Sequence, residues 1–107
     1  PSPAGVTDCG TFDLPQGDRL PDSAARCLSE AVRTGRPARL AVTRPTVEGD
    51  PIPIIYTAGA DGRVEVVTDA RQDRFGVRIV TRQSCRGPVS VPQLDFAECS
   101  APTPVPD

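Results

Sequence analysis

Residues 52–69 constrain this chain most. They read Ile-Pro-Ile-Ile-Tyr-Thr-Ala, then Gly-Ala-Asp-Gly, then Arg-Val-Glu-Val-Val-Thr-Asp. Two arms rich in β-branched residues flank an Asp-Gly turn, a strong local hairpin signal. Ile52, Ile54, Tyr56 and Ala58 share one face of the first arm, and Val64 and Val66 share one face of the second. A period of two is the pattern of a half-buried strand. With the turn centred between Ala60 and Asp61, Ile52 is expected opposite Asp69.

The same reading extends in both directions. Ala38, Leu40 and Val42 alternate with Arg39, Ala41 and Thr43, and Phe75, Val77 and Ile79 alternate with Gly76 and Arg78. Four strands follow, at 38–44, 52–58, 63–69 and 74–82, running as an antiparallel meander. Cys9 to Leu14 predicts a further short strand. Residues 89–91 and 94–96 predict an edge, since Pro92 cannot donate to a ladder. One helix is predicted at 23–34. Asp22 and Ser23 are good N-caps, and Ala24, Cys27, Leu28, Ala31 and Val32 make an apolar stripe. Gly35 sits where a left-handed residue ends a helix, and Pro37 prevents continuation. The expected fold class is α+β: a single helix packed on a four- to six-stranded, mainly antiparallel sheet with two disulfides. Residues 1–8 read as a linker or tether, 9–100 as the one domain, and 101–107 as a Pro-rich flexible tail.

A chain of 107 residues with three Phe, one Tyr, no Trp and no Met has a thin core, so crosslinks matter to it. Four cysteines, Cys9, Cys27, Cys85 and Cys99, admit three pairings. The local pairing, Cys9 with Cys27 and Cys85 with Cys99, is favoured; Cys9 with Cys99 and Cys27 with Cys85 is also sterically conceivable. Paired cysteines imply an oxidising compartment, hence a secreted or extracytoplasmic location at the cell envelope. All 12 basic residues are Arg, and Lys and Asn are both absent, which points to a high-GC bacterial source. No apolar run approaches the length that spans a membrane.

Composition also narrows the chemistry. There is no His and no Lys, so the commonest general base and the amine nucleophile are missing. No catalytic residue is assigned, no cofactor is expected, and the chain is read as not an enzyme. The cysteines lack a CxxC pair and a His partner, so they are not read as a zinc site. A net charge of −2 without a basic run argues against nucleic acid. Arg78 and Arg82 alternate with Val80 as a solvated strand face.

The candidate binding residues lie in the turns. A meander brings the connections after Arg44 and after Asp69 to one end of the sheet. Arg44, Glu48, Asp50, Asp69, Arg71 and Asp73 therefore gather there, with Arg74 among them. Several oxygens at a loop-rich edge suit Ca²⁺, but the interleaved arginines neutralise the carboxylates, and no metal site is assigned.

The stretch Pro45-Thr-Val-Glu-Gly-Asp-Pro51 carries one resemblance. In length, four cysteines, one sheet, one helix and an acidic loop bounded by prolines, the layout is similar to the small secreted bacterial subtilisin inhibitors. The resemblance implies inhibition of a serine protease through an exposed loop at 43–51. That inhibitor type anchors its loop with a cysteine, and none lies between Cys27 and Cys85 here, so no reactive-site residue carries over. The leading expectation is a disulfide-stabilised, non-enzymatic module binding an unknown protein or ligand; the inhibitor is the alternative.

Overall fold

The computed structural model describes residues 5–89 and 94–106. The hairpin forms as strands β3 (Pro51–Ala58) and β4 (Val64–Asp69). Its register is one residue from the expected one: Ile54 faces Thr68 and Tyr56 faces Val66. The cause is the turn. Gly62 N–H donates to the Gly59 carbonyl at 3.3 Å, Gly59 N–H to Arg63 at 2.9 Å, and Gly62 has φ +82°. This is a type I turn completed by a left-handed glycine, a loop of three residues rather than two. The extra residue puts Tyr56 and Val66 on one face, which the two-residue turn would have split.

Strand β2 (Ala38–Pro45) pairs antiparallel with β3, from Ala38 opposite Ala58 to Pro45 opposite Pro51. Its turn to β3 repeats the same device, with Gly49 at φ +94° and its N–H bonded to the Thr46 carbonyl at 2.9 Å. The expected 43–51 loop is thus shorter than predicted: 43–45 and 51 lie in strands.

Strand β1 (Thr7–Asp13) lies parallel to β2, and helix α1 (Asp22–Arg33) makes the crossover that a parallel pair requires. The helix starts one residue earlier than predicted. Pro21 is its N-cap, with no side-chain cap bond, so Asp22 and Ser23 lie inside the first turn instead of capping it. Asp22 there favours the positive end of the helix dipole. The C-terminus ends at Gly35, φ +70°, with Arg36 N–H bonded to Ala31 O and Gly35 N–H to Val32 O. That bond pair is a Schellman closure.

The strand expected at 74–82 is displaced. Strand β5 runs from Val80 to Val89, and 70–79 is a loop. Aspartates divert the backbone: Asp69 Oδ1 accepts from Arg71 N–H and Asp73 Oδ1 from Phe75 N–H, both at 3.1 Å. Such local bonds compete with a strand ladder. The break expected at Arg86-Gly-Pro does not end β5, because Gly87 takes φ +70° within it. Strand β6 (Asp95–Cys99) pairs with the later half of β5, and β7 (Thr103–Pro104) with its start. The edge expected at 89–96 falls partly on 90–93, outside the described residues. The sheet is therefore mostly antiparallel with seven strands among the described residues, slightly more than predicted.

Helix α1 touches β1, β2, β3 and β5. Strands four places apart lie about 19 Å from each other in a flat sheet, wider than a helix, so the sheet curls around α1. Tyr56 of β3 reaches Phe96 of β6, ring centroids 6.1 Å apart, by the same curvature. The core on this inner face joins Ala24, Leu28 and Ala31 to Leu40, Val42 and Val64. Cys9–Cys27 ties β1 to the helix and Cys85–Cys99 ties β5 to β6, the favoured local pairing. Loops of this length each stabilise by about 3 kcal/mol in the chain-entropy model.

Candidate binding surface

Strands β1, β2 and β4 run in the same direction, since β1 is parallel to β2 and both β2 and β4 oppose β3. The connections that follow them, 14–21, 46–50 and 70–79, therefore share one end of the sheet. Glu48, Asp50, Asp69, Arg71 and Asp73 all lie at this end, on the second and third loops or beside them.

Side chains tie the loops to one another. Asp50 is 7% exposed, the one charged residue buried among those described. Its two oxygens accept from Arg74: Oδ1 from Nε at 3.0 Å and Oδ2 from the backbone N–H at 3.1 Å. Its own N–H donates to Thr46 Oγ1 at 3.0 Å. Asp50 thus joins loop 46–50 to loop 70–79. On the other side, Gln16 Nε2 donates to the carbonyls of Thr46 and Val47 at 2.6 and 2.9 Å, joining loop 14–21 to the same turn. Arg78 Nε donates to the Arg71 carbonyl at 2.9 Å and closes the base of the third loop.

The remaining carboxylates are engaged locally. Asp69 receives both Arg71 Nε at 2.9 Å and an Arg71 terminal nitrogen at 2.7 Å. The side-chain hydrogen bond from Arg71 holds the Asp69 carboxyl below the usual carboxylate range, with partial burial opposing it. Asp73 caps Phe75 as described, and Glu48 is exposed on its turn. Among the described residues no group of three or more His, Cys, Asp or Glu is placed to hold a metal ion.

Among the described residues Arg44 forms no ion pair with these carboxylates, whose ion-pair partners are Arg71 and Arg74. It lies on the inner face of β2, in register with Leu40 and Val42, and lines a cleft with Tyr56. Arg82 sits on the outer face opposite Val67, 4.0 Å from Glu65, whereas Arg78 is in the loop and not on a strand face.

Apolar side chains are what the sequence reading missed at this end. Val47 is 90% exposed, Phe75 75% and Val77 73%, with Ile79 at 38%. Val89 is the fifth exposed large hydrophobic residue among those described, so four of the five gather on two adjoining loops. Alternation of Phe75, Val77 and Ile79 looked like a core-facing strand. The signal against it was the turn-forming company of Asp69, Asp73 and Gly76. Arg74 spans the two kinds of contact: its backbone and Nε are held by Asp50, and its guanidinium carbon lies 5.9 Å from the Phe75 ring centroid, within cation–π range.

Compared with family models, with curated proteins and with solved structures, the chain finds no match. Among the described residues no helix is long and apolar enough to cross a membrane.

Proposed function

We propose that this chain is an extracytoplasmic, disulfide-stabilised binding module without catalytic activity, and that it grips a protein partner through the loops at 46–50 and 70–79. One observation carries the reading: four of the five exposed large hydrophobic residues among those described sit on these two loops, which Asp50 and Arg74 bind together. Exposed apolar side chains gathered at one place mark interaction sites. A loop fixed before the encounter loses less entropy on binding, and an aromatic anchor with arginine beside it is the usual make-up of an interface hot spot. Two intramolecular disulfides support an oxidising compartment. The absence of His and Lys supports a non-enzymatic role.

Inhibition of a serine protease through the 43–51 stretch has less support. The loop proper is a turn closed by the Thr46 N–H bond to Asp50 O at 2.9 Å, and it offers no extended run of backbone for a protease cleft.

The test is photo-crosslinking in the organism of origin, with a photoreactive residue at position 75 or 77 and a control at Arg26 on the exposed face of α1. A discrete adduct from 75 and 77 is expected, competed by excess wild-type protein and not by Phe75→Ala. Equal adducts from position 26, or no adduct at 75 and 77, would overturn the reading.

A further inference from the structure

The helix leaves part of the inner face uncovered. There, beside the loop leading into α1, lies a cleft of about 380 Å³ lined by Asp18, Arg19, Leu20, Arg44, Tyr56 and Leu94. Its size is in the range of small-ligand sites. The ring of Tyr56 is fixed by stacking on Phe96 at 6.1 Å. Burial pushes the Tyr56 phenol up and the charge of Arg44 pulls it down, so the guanidinium lies close enough to be felt at the phenol oxygen. Arg44 forms no ion pair among the described residues, whereas Arg71, Arg74, Arg82 and Arg86 each do. Arg44 thus brings a positive charge to this recess in a chain of net charge −2.

The geometry points to a binding site for a carboxylate, with Arg44 holding the anion and Tyr56 donating a second hydrogen bond, and with Leu20 and Leu94 as the apolar part of the lining. A guanidinium presents parallel N–H groups that match two carboxylate oxygens. The phenol is neutral and adds a donor without a second charge, which suits a monoanion better than a phosphate, and Asp18 in the lining disfavours a larger negative charge. The source of such a group is either a small organic acid or the C-terminal residue of a peptide. This site is on the inner face and goes beyond the loop-end reading; either can fail without the other.

The experiment is an NMR titration of the isotope-labelled protein with N-acetyl-leucine, N-acetyl-leucinamide and the tripeptide Ala-Ala-Leu, following the signals of Leu20, Tyr56 and Leu94. Saturable shifts are expected with N-acetyl-leucine and with Ala-Ala-Leu, and none with the amide. Equal affinity for the two acids assigns the site to free carboxylates; at least about tenfold tighter binding of the tripeptide assigns it to chain termini. Arg44→Gln should abolish saturation while keeping the wild-type spectrum elsewhere, since Arg44 is exposed. Tyr56→Phe keeps the ring and should weaken binding severalfold. No saturation with either acid well past about 1 mM, equal shifts with the amide, or binding unchanged in Arg44→Gln would overturn the inference.

Discussion

Replacing Asp50 with alanine isolates the bond that joins the two loops. From sequence, Asp50 looked like one partner of an exposed ion pair, whose loss costs about 0–1 kcal/mol. The structure gives a larger figure. The Arg74 side chain is 64% exposed, so its guanidinium is rehydrated when its partner leaves and this half of the interaction remains within about 0–1 kcal/mol. The Arg74 backbone N–H is different, because Asp50 Oδ2 is the acceptor that satisfies it at a part-buried position. Leaving a buried donor unpaired costs about 1–3 kcal/mol. Asp50→Ala should therefore destabilise by about 1–4 kcal/mol, the two effects combined. Asp50→Asn retains an acceptor for that N–H and should lose about 1 kcal/mol or less. Asp69→Ala, which breaks an exposed pair with Arg71, should lose about 0–1 kcal/mol. Urea unfolding with unchanged m-values measures all three. If Asp50→Ala and Asp69→Ala agree within about 0.5 kcal/mol, the resolution expected of such a comparison, the clamp has no energetic weight and the reasoning is wrong.

Val66→Ala should cost about 1–3 kcal/mol, for lost transfer energy and a small cavity, because Val66 is 8% exposed on the inner face; Val67→Ala, half-buried on the outer face, should cost less in the same unfolding assay, and equal losses would mean that both faces are covered. Tyr56, the sole tyrosine, should titrate above the ordinary value of 10.0 by ultraviolet difference absorbance in the native protein. A native pKa raised above the unfolded one means stability is complete below pH 10 and declines as pH rises through the native value; a normal native titration would remove burial of the phenol. Thiol titration of the denatured, unreduced protein should find no free thiol, and breaking a disulfide should cost about 2–5 kcal/mol.

How much of this was legible in the sequence differs from element to element. The helix was readable to within a residue because a periodic apolar stripe and a Gly35 terminator agreed. The β3–β4 hairpin was readable as a hairpin, but its register turned on whether the loop held two residues or three. A two-residue turn centred between Ala60 and Asp61 would set both of these residues left-handed, whereas in the longer loop Gly62 alone is. The segment 74–79 was misread because a period of two is shared by a strand and by a loop that displays every second side chain. What separates them is where the backbone N–H groups go, and Asp69 and Asp73 take them over short distances that periodicity does not register. The same limit hid the exposed apolar side chains of the loop end. The polar residues of the loop end were visible as a cluster, but Asp50 was read as a surface charge, since its burial depends on loop 70–79 folding across it. The cleft beside Tyr56 depends on the curl of the sheet, which no local pattern encodes.

The account rests on loop 70–79 being held in one conformation that displays Phe75 and Val77. Backbone ¹⁵N relaxation tests this on the protein alone. Order parameters at Arg74, Phe75 and Gly76 should be near about 0.85, the value of rigid backbone, and should fall below about 0.6 in Asp50→Ala while the strands stay rigid. Values below about 0.6 in the wild-type protein, or no change in the variant, would contradict the claim that Asp50 fixes the apolar residues of this loop for binding.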